Sequence, residues 1–371
     1  MKKILIIGPK SIEGGMSRYV VDLLSKNSGN DKFEMVLFDT SHAIKNTFKN
    51  IKTSYNSIFN SGIKRAIQGL FLSIRNITKY PFFLKRTNPD VIHICGVSFY
   101  PFWERTIYAF FSLLAGKKIF LHYLGSFDQF YYSSNKFGKY FIRLSLSMAD
   151  KIGVLSQRTF LDMSHFIDKD HLEMIPSSVE VTNIPERSSR RSNDLKLLFV
   201  GGSDPFRKGA KEILEVLPAV AKKHSSIKFI FSGSEILKNL ISTLEISLQQ
   251  KNTKFIGFFD EKDKWNIYQS ADILLLPSHN EGLPYVIIEA LASGLPIISS
   301  TVGGISEVVE DGKNGFIIEP GDKSALKSKI LELANSPDTR LLFSKANWKK
   351  AREQYSLEEN IERINNIYTA L

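Results

Sequence analysis

Short apolar runs alternate with longer stretches of helical periodicity along the whole chain. The runs predict strands at 3–7, 35–38, 91–95, 118–123, 151–155 and 172–175. After a polar interval they resume at 195–200, 228–232, 254–256, 273–276, 296–299 and 316–318. Each run is continuous rather than alternating, as in parallel strands covered by helices on both faces. Strand–helix alternation in two such series predicts an α/β protein with two doubly wound parallel sheets. The stretch 182–194 is rich in Ser, Arg, Asn and Pro and lacks apolar periodicity, so it reads as a linker. It separates an N-terminal domain, 1–181, from a C-terminal domain, 195–356. The segment 357–371 has helical periodicity. Two such domains imply a cleft between them, and parallel sheets bind ligands at the carboxyl ends of their strands. Residues just after strands therefore carry the functional weight.

A chain of 371 residues suits two domains, and 43% hydrophobic residues exclude disorder as its main state. The single cysteine, Cys95, excludes an intrachain disulfide and fits a reducing compartment. The opening apolar run, Ile4 to Ile7, stops at Gly8-Pro9 and is too short for a signal peptide. The apolar stretch at 106–115 falls far short of the ~20 residues of a membrane span. A soluble, cytoplasmic protein is expected.

Charge changes the picture of the first domain. The chain carries 49 Lys+Arg against 38 Asp+Glu, a net +11. Residues 41–160 alone hold 17 basic and 4 acidic residues, so the rest of the chain is close to neutral. Such a block suits nucleic acid, an anionic membrane or anionic small molecules. No nucleic-acid reading motif accompanies it. Within it, Ile63, Ala66, Ile67, Leu70, Phe71, Ile74 and Ile77 share one helix face, with Lys64, Arg65 and Arg75 off it. The expected arrangement is a helix packed by this stripe on its own sheet. The alternative is a surface that lies on a membrane.

Four loops carry candidate chemistry. Gly14 and Gly15 follow the first strand and open a helix at 16–25, where unpaired N–H groups can meet an anion; a plain tight turn would look the same. Gly201-Gly202-Ser203 through Arg207-Lys208-Gly209 follows the first strand of the second series. Its cations suit a pyrophosphate, or are simply solvated. The stretch Leu276-Pro277-Ser278-His279-Asn280-Glu281-Gly282-Leu283-Pro284 leads into a helix carrying Glu289 and stopped by Gly294. Pro284 suits the first helical position there. This places Glu281 in a loop after a strand and Glu289 on the following helix. The fourth loop, Gly303-Gly304-Ile305-Ser306-Glu307, is a further glycine pair opening a helix.

With Ala271-Asp272, Pro277-Ser278, Glu281-Gly282, Glu289-Ala290, Gly294 and Gly303-Gly304-Ile305-Ser306-Glu307 in this order, the chain closely resembles glycosyltransferase family 4. The Gly14-Gly15 loop, Val91-Ile92-His93, Ile175-Pro176 and Lys208-Gly209 extend the resemblance over nearly the whole length. It implies a GT-B fold and a retaining enzyme that takes a nucleoside diphosphate sugar, a UDP-sugar in the first place. It implies donor contacts at Gly14, Gly15, Gly202, Ser203, Lys208, Glu281, Gly282, Leu283, Pro284 and Glu289. Glu281 would meet the donor sugar, Glu289 the ribose and Lys208 the diphosphate. No cofactor or divalent metal is implied, and the nearest Asp-x-Asp, Asp168-Lys169-Asp170, does not follow a strand. The C-terminal helix is implied to cross back to the first domain.

The sequence departs from the family at two positions. Gly202 stands where the family has an Arg that pairs with the Lys, and Arg207 is the nearby substitute. Leu124 stands where the family has a His before a Gly, and His122, two residues earlier, either takes over a donor contact or is an ordinary polar strand residue. The catalytic set is then Glu281, Lys208, Arg207 and His122. The stretch 126–132 resembles bacterial enzymes of surface polysaccharide assembly. With the basic first domain, that resemblance implies a lipid-linked glycan acceptor and a peripheral place on the inner face of the plasma membrane. Gly202 and Leu124 also motivate an alternative: a non-catalytic sugar-nucleotide-binding or scaffold subunit. Another GT-B enzyme, such as a sugar-nucleotide epimerase, is the remaining alternative.

Overall fold

The computed structural model describes residues 1–10, 14–41, 63–187 and 194–371; side chains at 63–68 lie outside that description. The chain forms two compact units: Met1–Pro176 with Glu358–Leu371, and Ser177–Leu357. All twelve predicted strands are present, with ends within two residues of those read from the apolar runs.

In the first unit β1 (Lys2–Gly8), β2 (Phe33–Asp39), β3 (Val91–Gly96), β4 (Lys118–Tyr123), β5 (Lys151–Val154) and β6 (Leu172–Met174) form one parallel sheet, ordered β2-β1-β3-β4-β5-β6. The order reverses between β1 and β3. Successive residues of a strand serve opposite faces. Ile92 and Ile94 of β3, and Ile119, Leu121 and Tyr123 of β4, join the core beneath helices Ile63–Thr87, Tyr100–Leu114 and Lys136–Leu146. His93 and His122 point the other way, toward Tyr19 of helix Gly15–Lys26 and, for His93, Tyr368 of the C-terminal helix.

That second face holds a polar chain whose tautomers follow from its ends. The Ile175 carbonyl can only accept, so His122 donates to it through Nε2 at 3.0 Å. His122 Nδ1 then accepts from the Tyr19 hydroxyl at 2.7 Å. The Tyr19 oxygen accepts from His93 Nε2 at 3.3 Å, which leaves His93 Nδ1 to accept from Tyr368 at 2.5 Å. Both imidazoles are neutral in this arrangement. Burial pushes His122 down to about 4, against the smaller opposing effect of the Ile175 carbonyl. Burial, then the neighbouring His122, holds His93 well below its ordinary value.

Among the described side chains, the apolar stripe on helix Ile63–Thr87 packs on the core as expected at Ile77 only. Leu70, Phe71 and Ile74 are exposed, while Gly69, Ser73, Asn76, Tyr80 and Leu84 are buried. The calls on Ile63, Ala66 and Ile67 concern side chains outside the described residues. Hydrogen bonds decide the helix's orientation: Ser73 donates to Glu104 at 2.8 Å, and Tyr80 pairs with Ser112 at 2.6 Å, both on helix Tyr100–Leu114. Satisfied buried polar groups thus displace the more apolar face.

In the second unit β7 (Lys196–Gly202), β8 (Lys228–Gly233), β9 (Thr253–Gly257), β10 (Ile273–Leu276), β11 (Ile297–Ser300) and β12 (Gly315–Ile318) form the other parallel sheet, ordered β12-β11-β10-β7-β8-β9. Its order reverses between β7 and β10. The described part of the predicted linker is attached to this unit rather than free; residues 188–193 lie outside the described residues. Ile184 is buried, and its carbonyl accepts from Trp348 Nε1 at 3.3 Å and from Arg352. Arg187 donates to the Ala271 carbonyl and pairs with Asp272 at 3.3 Å. A stretch without periodicity can still be held by donors from distant helices. Among the described residues no helix is long and apolar enough to cross a membrane.

A group whose folded pKa lies below its unfolded value adds stability that is lost as pH falls from the unfolded pKa. Denaturation midpoints should therefore drop between pH 6.5 and about 4 as His122 and His93 are forced to protonate. For His122 alone the loss is on the order of 3 kcal/mol. The drop should be shallower in His122→Asn; an equal slope in the variant would exclude the pair as its source.

Candidate donor site in the second unit

The loops that follow β7, β10 and β11 are pressed together by backbone contacts that only glycine permits. Gly209 has φ +87°, and a Cβ on it would sit 2.2 Å from the Pro277 oxygen. Gly303 has φ +58°, and its Cβ would sit 2.1 Å from the Glu281 oxygen. The His279 amide donates to the Arg207 carbonyl at 2.8 Å, and the Gly304 amide to the Gly282 carbonyl at 2.7 Å. Ser177 Oγ caps the Leu283 carbonyl at 2.7 Å. The glycines and these bonds bring Arg207, Lys208 and Glu281 to the carboxyl ends of β7 and β10, where the sheet order reverses. Such switch points are where doubly wound sheets hold ligands.

The cluster is compact and mostly buried. Arg207 Nη1 lies 3.0 Å from Glu281 Oε1 and also donates to the Asn280 carbonyl. Lys208 Nζ lies 3.9 Å from the same carboxylate oxygen. Ser278 Oγ is 3.5 Å from it. Burial works against the Arg207 charge, but the Glu281 and Asp204 carboxylates outweigh it and hold the guanidinium above its ordinary value. Burial lowers Lys208 below its ordinary value, with Glu281 opposing. Arg207 also lies 3.6 Å from Asp204 through Nε, so two cations face two carboxylates here. Gly202, at the family's Arg position, adopts φ +58°, which an Arg would strain; a Cβ there would be 4.0 Å from Lys208 Cε. Arg207 reaches the same neighbourhood from the other end of the loop.

Glu289 is on helix Tyr285–Ala292, which starts one residue later than the sequence suggests: Pro284 has extended backbone and caps the helix. Gly294, at φ +63°, follows its end. The Glu289 carboxylate accepts from the Tyr268 hydroxyl at 2.6 Å and lies 3.5 Å from Lys264 Nζ. Lys264 and Tyr268, one turn apart on helix Glu261–Ser270, are both buried. No motif singled them out, because a Lys and a Tyr four apart on a helix are commonplace. His279, which pairs with Glu212 at 2.9 Å, was likewise visible only as part of its loop.

The remaining predicted positions belong to the first unit. Gly14 precedes helix Gly15–Lys26 and accepts the Arg18 amide at 3.1 Å; residues 11–13 of that loop lie outside the described residues. His122 does not have the role given it in the catalytic set. It is buried, and both ring nitrogens are taken by Tyr19 and Ile175, so neither is left for a donor sugar. Two-residue spacing put it on the inner face of β4, where helix Gly15–Lys26 covers it. Asp168-Lys169-Asp170 surrounds a 3-10 turn ahead of β6, and no group of His, Cys, Asp and Glu among the described residues is arranged to hold a metal.

Two doubly wound parallel sheets with this loop cluster define the architecture of GT-B glycosyltransferases. Solved structures share the fold at low identity. Sucrose-phosphate synthase from Thermosynechococcus elongatus superimposes with a TM-score of 0.76 at 15% identity, covering 100% of this chain and 99% of that one. Anabaena HepE, solved with UDP-glucose, gives 0.70 at 15% identity, with full coverage of both. Residues 180–350 match the family described as Glycosyl transferases group 1. Among curated relatives, spore coat protein SA of Bacillus subtilis (strain 168) is 31% identical over 46% of this chain and 48% of its own length. The capsular polysaccharide biosynthesis glycosyltransferase CapM of Staphylococcus aureus is 24% identical over 61% of this chain and 60% of its own. The chain thus spans about half to three fifths of the length of these two relatives.

Gly303→Ala combines a strained φ with a clash against the Glu281 carbonyl. It should destabilise the protein by about 2 kcal/mol or more in urea denaturation. A midpoint equal to the parent's would show that the loop gives way without cost.

Proposed function

We propose that the protein is a retaining glycosyltransferase of family 4. It moves a sugar from a nucleoside diphosphate sugar, UDP-linked in the first place, to a lipid-linked glycan in bacterial surface polysaccharide synthesis. The observation that carries this reading is the Arg207–Lys208–Glu281 cluster at the switch point between β7 and β10. Relatives and fold neighbours support it. CapM is named for capsular polysaccharide biosynthesis, HepE was solved with UDP-glucose, and S. aureus TarM with UDP.

In this reading the second unit takes the donor and the first, basic unit takes the acceptor. The diphosphate enters between Lys208 and Arg207, each releasing part of its hold on Glu281. Glu281 turns to the sugar hydroxyls, and Glu289, aimed by Tyr268 and Lys264, to the ribose diol. Ser203 and the Gly282–Pro284 backbone line the same pocket. The acceptor oxygen attacks the anomeric carbon from the face that the diphosphate leaves. Its proton passes to the departing phosphate oxygen, so configuration is retained without a protein nucleophile. Cations stabilise the leaving charge and no metal is needed. The acceptor places the protein peripherally on the inner face of the plasma membrane.

Incubation with UDP- and GDP-sugars, with and without membrane extract, should release nucleoside diphosphate from one donor. Glu281→Ala should abolish release with the fold intact; unchanged rates would sink the donor assignment. Lys208→Ala and Arg207→Ala should each weaken donor binding about 10- to 100-fold, as for a lost charge-assisted hydrogen bond. A loss in Lys208→Ala alone would deny Arg207 the role of the missing Arg. Activity should survive a chelator.

A further inference from the structure

Helices Ile63–Thr87, Tyr100–Leu114 and Lys136–Leu146 cover one face of the first unit's sheet. Tyr80, Leu84, Phe102, Tyr108, Ile142 and Leu146 carry them into a single core with Leu5, Ile94 and Leu121. Their outer sides should be polar, yet they are not. Leu70, Phe71 and Phe82 are exposed on the first helix, and Phe110, Leu113 and Leu114 on the second. The third carries the most regular row: Phe137, Tyr140, Phe141 and Leu144, at i, i+3, i+4 and i+7. Phe137 is 77% exposed and Tyr140 62%, so the row is not covered by the described residues of this unit. Exposed large apolar residues of the second unit, such as Phe206, Ile246 and Leu342, are scattered singly, as on ordinary surfaces.

Charge selects the occupant. Arg75, Lys79, Lys85 and Arg86 are exposed on the first helix, and Lys136 and Arg143 on the third. The only acidic residue in the three helices is Glu104, which is buried and paired with Arg105 at 3.2 Å. Lys139 and Arg143 lie beside the row, over the Tyr131 ring at 5.5 and 5.6 Å. Tyr140 adds an exposed ring with a polar tip, the type favoured at the headgroup level. Three helices with exposed apolar residues and cations but no exposed acid complement an anionic bilayer, with lipid phosphates for the cations and acyl chains for the rings.

We infer that helix Lys136–Leu146 is an in-plane membrane anchor, its Phe137–Leu144 row lodged in the headgroup region of an anionic bilayer with the neighbouring helices' cations against the lipid phosphates. The inference rests on the lipid-linked-acceptor reading for its purpose, while the binding itself is measured without any sugar transfer.

The test is flotation of the full chain with phosphatidylcholine vesicles, with and without phosphatidylglycerol. Binding should require the anionic lipid and weaken, without vanishing, between about 50 and 500 mM salt, as exposed charges are screened. Phe137→Ser/Phe141→Ser should lower partitioning about tenfold or more at both salt levels with an unchanged melting midpoint. Lys136→Gln/Lys139→Gln should weaken it chiefly at low salt. Parent-like binding by the Ser variant, or no binding of the parent to anionic vesicles, would overturn the anchor. So would a dimer that the Ser variant splits while vesicle binding stays the same. Vesicle binding without transfer from any donor would sink the glycosyltransferase reading and leave the anchor standing; transfer without vesicle binding would do the reverse.

Discussion

The Glu281 carboxylate, held by Arg207 at 3.0 Å and by Lys208 at 3.9 Å, is the interaction on which the second unit's loops depend. A carboxylate this buried is tolerated only beside compensating charge. Compensation requires the β7 and β10 loops to meet, and their meeting requires Gly209 to pass the Pro277 carbonyl with no Cβ. Gly303 repeats the device for the β11 loop. One electrostatic need thus sets the backbone of three loops and brings two cations to the carboxyl ends of β7 and β10.

The first unit is organised by a different constraint. Its sheet has one face covered by aromatic and aliphatic side chains and another threaded by the Tyr19–His93–His122–Tyr368 chain. This chain fastens β3 and β4 to helix Gly15–Lys26 and to the returning C-terminal helix, so the last residues are part of the unit's interior. Full satisfaction of every donor and acceptor is what lets two histidines stay neutral there. Part of the basic surplus, Arg75, Lys79, Lys85, Arg86, Lys136 and Arg143, lies on the helices of the opposite face, whose outer side is both cationic and apolar.

Much of the site was legible because its signals are local. Gly-Gly after a strand, Arg-Lys before a glycine, and two glutamates eight apart around a helix start are read directly from neighbouring residues. The substitution of Arg207 for an Arg at Gly202 was visible as a possibility, and Arg207 lies 3.0 Å from Glu281. Lys264 and Tyr268 were not legible, since their meaning comes from a carboxylate more than twenty residues away. His122 looked like a candidate because spacing gives the face of a strand, not what covers that face.

By itself the sequence determined the two series of parallel strands, their helices, and the loops where charge collects, because apolar periodicity and glycine placement act within a few residues. The tertiary structure decided which side of each element is buried. It turned His122 into an interior hydrogen-bonding group, attached part of an apparent linker to the second unit, and set the Leu70–Ile74 stripe outward in favour of Ser73 and Tyr80. The physical reason is the same in each case: buried polar groups must find partners, and those partners lie far along the chain, beyond the reach of local pattern.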